Sequence, residues 1–323
     1  MNTLSVSSYS LREQFGPLVF DFVDPQGNPV HIELPYPKLL NLSEFPARAR
    51  DTFGVDTIET VAFQFAGLDD PEIDLFGDAL AASGVRLVNV AIDVGDLLEP
   101  DADKRAADIK LTKRWIERFT AMGSQFVRVN PGSPFSQHNE ATPPAQLIDA
   151  LGEVGAFAKQ RGSRLLVENH GGPSADPVWM GQLLNAAGRD VCGLLLDLGN
   201  FDVLTSRAMA GFGDAGGAGG AEPTDPAELY ASLDLTPVYD AVDALAEYTE
   251  LVSLKANYVT EDGAVGPVDL PRALGILAAR GYTGPLSVEY EGTGGDPWAK
   301  SARVLEVAGS ALAESGAAPH TAP

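Results

Sequence analysis

The chain is predicted to fold as one α/β domain, a closed (β/α)8 barrel with an N-terminal β-hairpin insertion, spanning residues 1–312 of its 323. Three observations predict it. Apolar runs of strand length alternate with stretches of helical periodicity along nearly the whole chain. Eight strand-like runs are present, more than an open doubly wound sheet usually carries. No dinucleotide-binding glycine pattern follows the first strand, because SSYSLREQFG over residues 7–16 lacks the spacing. Gly and Pro fall between elements and not at one boundary, so no interdomain linker is visible.

Leu4 to Ser8 forms the first strand and ends on polar residues with Tyr9. Residues 17–34, PLVFDFVDPQGNPVHIEL, hold two alternating stretches around a turn signal from Asp24 to Pro29. That is a hairpin, placed to cover one edge of the body or to contribute to a dimer surface, and so to a homo-oligomer. Ser43 caps a first helix that runs to Phe53 and stops at Gly54. Thr57 to Phe65 is a strand, Pro71 to Ala82 a helix stopped by Gly84, and Val85 to Ile92 a strand. A long helix from Asp101 to Met122 precedes the strand Gln125 to Asn130 and the helix Ala145 to Gln160. The strand Ser163 to Glu168 leads to the helix Pro177 to Ala187, and the strand Val191 to Asp197 to the helix Ala227 to Tyr248. The last units are the strand Leu251 to Ala256, the helix Leu270 to Ala279, the strand Pro285 to Tyr290 and the helix Pro297 to Ser310. Residues 203–226 are Gly/Ala-rich, too poor in large apolar side chains to pack a core, and read as a flexible loop beside the barrel mouth. Residues 313–323 read as a disordered tail.

The 22 basic against 45 acidic side chains give a formal net charge of −23, a field that repels phosphate backbones and anionic membranes. Nucleic acid and membrane are therefore not expected partners. The N-terminus lacks the basic start and apolar core of a secretion signal, and no apolar stretch is long enough to span a bilayer. The single cysteine, Cys192, excludes an intrachain disulfide, and its setting in DVCGLLLD is that of a buried strand thiol. A cytoplasmic location is expected.

In a closed barrel the C-terminal strand ends converge on one mouth, so their polar residues can be collected. They are Glu59 from the second strand, Asn89 and Asp93 from the third, and Arg128 and Asn130 from the fourth. The fifth gives Glu168, Asn169 and His170, and the sixth Asp197 and Asn200. Lys255 and Asn257 come from the seventh, Glu289 and Glu291 from the eighth. Carboxylates closing the apolar runs LLVE, LLLD and LSVE need partners. A divalent cation is the simplest neutraliser of Glu168, Asp197 and Glu289, and oxygen donors favour Mn²⁺ or Mg²⁺ over Zn²⁺. Of the four histidines, His31, His138 and His320 lie in the hairpin, a loop and the tail, so only His170 reaches the mouth. Its role there is open between ligand, substrate contact and support.

These strand ends resemble the sugar phosphate isomerase/epimerase family, the xylose isomerase-like TIM barrels. The resemblance runs over nearly the whole barrel through SVSSYS, VRVNPG, LLVENHGG, LLLDLGNF, SLKANY and GYTGPLSVEYEG. It implies a divalent metal held by Glu168, Asp197, a histidine on the seventh strand and Glu289. The chain departs from that pattern twice. Ser253 stands where the family's His-x-Lys has its histidine, and Asn200 where a histidine often follows the aspartate. Three outcomes stay open: a metal on oxygen donors alone, a weakened site, or no metal and a changed function.

The resemblance further implies a ketose, keto-inositol or related oxidised sugar as substrate, with Glu168 and Glu289 moving protons on opposite faces. Lys255 would stabilise the oxyanion. Arg128, Asn130, Asn169, His170, Asn200, Asn257 and Glu59 would contact the substrate. Elimination from a keto-inositol or 3-keto-glycoside by a dehydratase or lyase, and sugar binding without catalysis, are the competing expectations.

Overall fold

Residues 2–23, 28–131, 140–206 and 226–314 are described in a computed structural model of the chain. Period-two alternation sorts each strand into an inner and an outer face. Thus Phe126 and Arg128 share one face while Val127 and Val129 join the helices in the main core. Eight such strands, β1 (Leu4–Ser7), β2 (Thr57–Val61), β3 (Arg86–Ile92), β4 (Phe126–Val129), β5 (Arg164–Glu168), β6 (Cys192–Asp197), β7 (Thr249–Ala256) and β8 (Leu286–Tyr290), pair in parallel. β1 bonds to both β2 and β8, which closes the barrel.

Helices α1 (Phe45–Phe53), α2 (Pro71–Ser83), α3 (Ala102–Thr120), α4 (Ala145–Gln160), α5 (Pro177–Ala187), α6 (Thr236–Leu245), α7 (Leu270–Ala279) and α8 (Pro297–Glu314) follow the strands in turn. Several start where an aspartate accepts from a first-turn N–H: Asp70 from Glu72 for α2 and Asp176 from Val178 for α5. Gly54 and Gly84 end α1 and α2 in the left-handed conformation.

Two predicted elements are corrected. The strand from Thr57 stops at Val61, and the single turn Ala62–Gln64 swings Phe63 toward Tyr9. The helix proposed for Ala227 to Tyr248 divides into Pro226–Tyr230, α6 and a final turn Ala246–Tyr248. Asp234 accepts from the Thr236 N–H and Pro237 lacks an N–H of its own, so the helix restarts there. A small antiparallel pair, Tyr258–Val259 with Val265–Gly266, follows β7 and was not anticipated.

The hairpin is present as Leu18–Val23 paired with Pro29–Leu34. It lies against the mouth, where Phe20 meets Phe63 edge-on at 5.6 Å and Phe63 meets Tyr9 at 5.8 Å. Its turn at 24–27, His138, positions 207–225 of the Gly/Ala-rich stretch and the tail from 315 with His320 lie outside the described residues. Cys192 is buried and unpaired, and burial pushes its thiol up to about 12. Among the described residues no helix is long and apolar enough to cross a membrane.

Inside the barrel the filling is chemically lopsided. Val88, Phe126, Leu166, Leu195 and Leu251 form an apolar plug on one arc. Ser5, Ser287 and Ser253 stand in one row of the register on the other, with Glu59 beside Asn89. Where β3 meets β2 the register shifts between Ile58 and Glu59, so Val88 is an extra residue. Val88 can thereby join the plug while Asn89 still reaches Glu59.

Candidate active site

Charged residues enter the barrel one step above the plug. Arg128 follows Phe126 by two residues, Glu168 follows Leu166, Asp197 follows Leu195, and Ser253 and Lys255 continue the face begun by Leu251. Alternation therefore delivers two cations and several carboxyls to one level near the mouth. All of these side chains are nearly inaccessible, so each must be satisfied by a neighbour.

Glu168 has a cation on one side and an amide on the other. Its Oε2 lies 2.7 Å from Arg128 Nε, and its Oε1 accepts from Asn200 Nδ2 at 3.1 Å. Arg128 also donates to Asp93 and, at 2.8 Å, to Asn130 Oδ1, while Asn130 Nδ2 donates to Asp93. Burial raises Glu168 to about 7, against the opposing pull of Arg128 and Lys255. Asp93 is half-buried, yet Arg128 and His170 outweigh the desolvation and hold it below the usual carboxylate range.

Lys255 is the centre of a second group. Its Nζ lies 3.1 Å from Asp197 Oδ2, 3.1 Å from Glu289 Oε1, 3.0 Å from Glu291 Oε1 and 3.3 Å from Asn200 Oδ1. Burial disfavours the ammonium, but Asp197, Glu291 and Glu289 carry its pKa well above the ordinary lysine value. One ammonium cannot hold three ionised carboxylates, so the group shares protons. Glu291, half-buried, is held at about 2 by Lys255 and Arg12 against the cost of desolvation, and accepts a hydrogen bond from Glu289. Burial pushes Asp197 and Glu289 up to about 7. Asn200 bridges the two groups, donating to Glu168 and accepting from Lys255.

The remaining predicted residues are placed as follows. Asn169 is fully buried and grips the backbone of Asp197, donating from Nδ2 to its carbonyl and accepting from its N–H at Oδ1, both at 2.8 Å. Those bonds position Asp197 and leave the amide facing away from a substrate. Glu59 sits below the mouth, accepts from Asn89 at 3.1 Å, and is raised to about 8 by burial and then by Glu289. His170 is half-buried near Asp93 and Arg128, its backbone N–H bonded to Ser174 and its Nδ1 without a hydrogen-bond partner among the described residues. Burial lowers its pKa, against the opposing pull of Asp93. Asn257 is engaged through its backbone N–H to the Gly266 carbonyl, at 2.9 Å, and is not drawn into either cluster.

Three contributors were not assigned roles from the sequence. Glu291 pairs with Lys255. Arg12 donates to the carbonyls of Tyr290, Glu291 and Gly292 and clamps the end of β8. Tyr9 is half-buried beside Arg12 and the carboxyls, with its phenol raised by desolvation and by Glu291. The polar run SSYSLRE was the available signal, since buried hydroxyls and a guanidinium at a strand end must find acceptors.

The donor set does not fit a divalent metal. Asp197 and Glu289 each turn an oxygen to the lysine ammonium, Glu168 is committed to Arg128 and Asn200, and Ser253 offers no nitrogen. No group of three or more His, Cys, Asp or Glu among the described residues is disposed to hold an ion.

Against known proteins, the model of a family described as xylose isomerase-like TIM barrel matches residues 46–307. No curated protein matches the chain. Among solved structures, an L-ribulose 3-epimerase superposes with a TM-score of 0.65 at 16% identity, covering 98% of this chain and 96% of that one. A 3-keto-D-glucoside 4-epimerase from E. coli gives 0.60 at 12% identity, over 83% of this chain and 94% of the other. A xylose isomerase-like TIM barrel protein from Mycobacterium smegmatis, in complex with magnesium, gives 0.57 at 18% identity, over 97% and 98%.

Proposed function

Because the chain belongs to the xylose isomerase-like TIM barrel family, we propose that it is a sugar isomerase or epimerase acting on a ketose or keto-sugar. The reaction is proton transfer at the carbon next to the carbonyl. The observation that carries this reading is the pair Glu168 and Glu289. They stand on β5 and β8, three strands apart around an eight-stranded ring, and both are raised to about 7. A carboxyl with a pKa near the working pH is the most effective general acid or base.

One ionised carboxylate removes the α-hydrogen as a proton, and the C–H electrons form an enediolate with negative charge on the former carbonyl oxygen. Lys255, 3.1 Å from Glu289, supplies the positive charge that stabilises that oxygen. The other carboxyl, protonated, returns a proton. Delivery to the opposite face of the same carbon gives the epimer; delivery to the former carbonyl carbon, with the α-hydroxyl proton passing to the former carbonyl oxygen, gives the isomer. Arg128 is held by Glu168 and Asp93 and fixes Glu168 in place, while His170 stands half-buried at the edge of the same group.

The test is incubation of the protein with a panel of ketoses and 3-keto-glycosides in D₂O, followed by NMR and mass spectrometry. Deuterium at the α-carbon together with an epimeric or isomeric product supports the reading. Release of water or an aglycone instead assigns an elimination. Absence of exchange and release across the panel leaves a sugar-binding barrel without catalysis.

A further inference from the structure

We propose that the Lys255 ammonium is the resident cation of this site, taking the place a divalent metal would have among the strand-end carboxylates, so that the protein works without metal. The activity arm of this inference rests on the function proposed above, and the metal-binding arm does not.

Four features carry it. First, the ammonium sits among three carboxylates contributed by β6 and the end of β8, at 3.0 to 3.1 Å, with the Asn200 amide oxygen as a fourth acceptor at 3.3 Å. A lysine ammonium has three N–H donors and no acceptor, so these oxygens saturate it. A metal could reach the same oxygens only by expelling the lysine. Second, the path of the lysine stem is built into the turn that follows β6. A Cβ on Gly199 would come within 2.6 Å of Lys255 Cδ, 2.7 Å of Cγ and 3.0 Å of Cβ, so only glycine leaves room for the stem. The Gly199 N–H also donates to Asp197 Oδ1 at 2.7 Å, which orients the other oxygen toward the ammonium. Third, the position two residues before Lys255 on the same inward face is Ser253, a buried hydroxyl with no hydrogen-bond partner among the described residues and a poor ligand for a divalent ion. Fourth, Asn200 joins the lysine to Glu168, so the cation and one of the two proton-transfer groups are held by a single amide.

The arrangement also places the substrate. Asn200 makes the longest of the four contacts with the ammonium, so it is the one a substrate oxygen replaces, and Asn200 remains attached to Glu168. The reacting oxygen then lies beside Lys255 and within reach of Glu289.

The experiment titrates Mn²⁺ into metal-stripped wild-type protein and into Lys255→Ala and Lys255→Met, following the free-ion signal by electron paramagnetic resonance, with circular dichroism to select the variant that folds. Deuterium exchange is measured with and without excess EDTA. Wild type is expected to leave the Mn²⁺ signal unchanged and to keep its exchange rate in EDTA. The folded lysine variant is expected to lose exchange by ~10²-fold or more and to take up Mn²⁺ into the carboxylates it leaves unbalanced. Stoichiometric Mn²⁺ uptake by wild type, or exchange abolished by EDTA and restored by Mn²⁺, overturns the proposal. If no sugar in the panel reacts, the function reading fails while the Mn²⁺ titration still decides the identity of the cation.

Discussion

Glu289 and Glu168 have the same functional group and opposite surroundings, which makes their substitutions separable. Glu289 keeps 15% of its side chain exposed, whereas Glu168 keeps 3% and balances Arg128, itself 7% exposed. Glu289→Gln is expected to fold normally and to lose α-deuterium exchange by ~10²–10⁴-fold. Glu168→Gln removes one of the two carboxylate partners of a buried guanidinium, leaving Asp93, and should also cost ~1–3 kcal/mol of stability, read from denaturant unfolding. With both groups near 7, exchange should follow a bell centred near neutrality, because one must be ionised and the other protonated. Glu59 makes a different pH prediction. Its folded pKa of about 8 lies above its ordinary 4.5, so the folded state holds a proton that the unfolded state has lost. That stabilisation is complete below the unfolded value and is lost as pH rises through about 8. Thermal stability should therefore fall between these values, and Glu59→Gln should flatten the fall. At this scale the sequence disclosed which residues meet at the mouth, because carboxylates closing apolar runs have nowhere else to go. The pairings were not legible. Which carboxylate meets Lys255 and which meets Arg128 depends on barrel register, which strand-end spacing does not carry.

Elements were legible in proportion to how local their determinants are. The bounds of α4, α5 and α7 follow from periodicity and from prolines and aspartates at their starts, and they coincide with the expected residues. Thr57–Val61 was extended too far because apolar residues continue to Phe65, although Phe63 serves the aromatic contact with the hairpin and Phe65 packs on Phe76 and Phe119, not in the sheet. The break before α6 was signalled by Asp234 and Pro237 but masked by the helical spacing around it. Close approaches between elements give the predictions here. Gly155 on α4 would place a Cβ 2.7 Å from the Val191 carbonyl oxygen, a backbone atom that cannot step aside. Gly155→Ala should destabilise the fold by ~1–3 kcal/mol, seen as a lower denaturation midpoint with activity per folded molecule unchanged. Gly199→Ala should act in the opposite sense, lowering kcat by ~10²-fold through displacement of the Lys255 stem while the folded fraction barely changes.

For the molecule as a whole, the formal charge of −23 is a source of self-repulsion that the compact state must withstand. Raising sodium chloride from low to physiological strength shortens the screening length to about 8 Å, so thermal stability should rise, by about 2 °C for each kcal/mol of repulsion relieved. A melting temperature that falls over that range would show that attractive ion pairs outweigh the net charge. The register shift at Val88 bears on how this barrel tolerates changes in chain length. Leu87 and Val90 belong to the outer core, while Val88 and Asn89 both serve the interior. Deleting Val88 would therefore cost one plug residue yet leave Asn89 pointing at Glu59 and every later residue of β3 on its present side. Indels elsewhere in a barrel strand invert inside and outside from that point onward. At Val88 the strand has a spare position, a place where length can vary without rewriting the chemistry at the mouth.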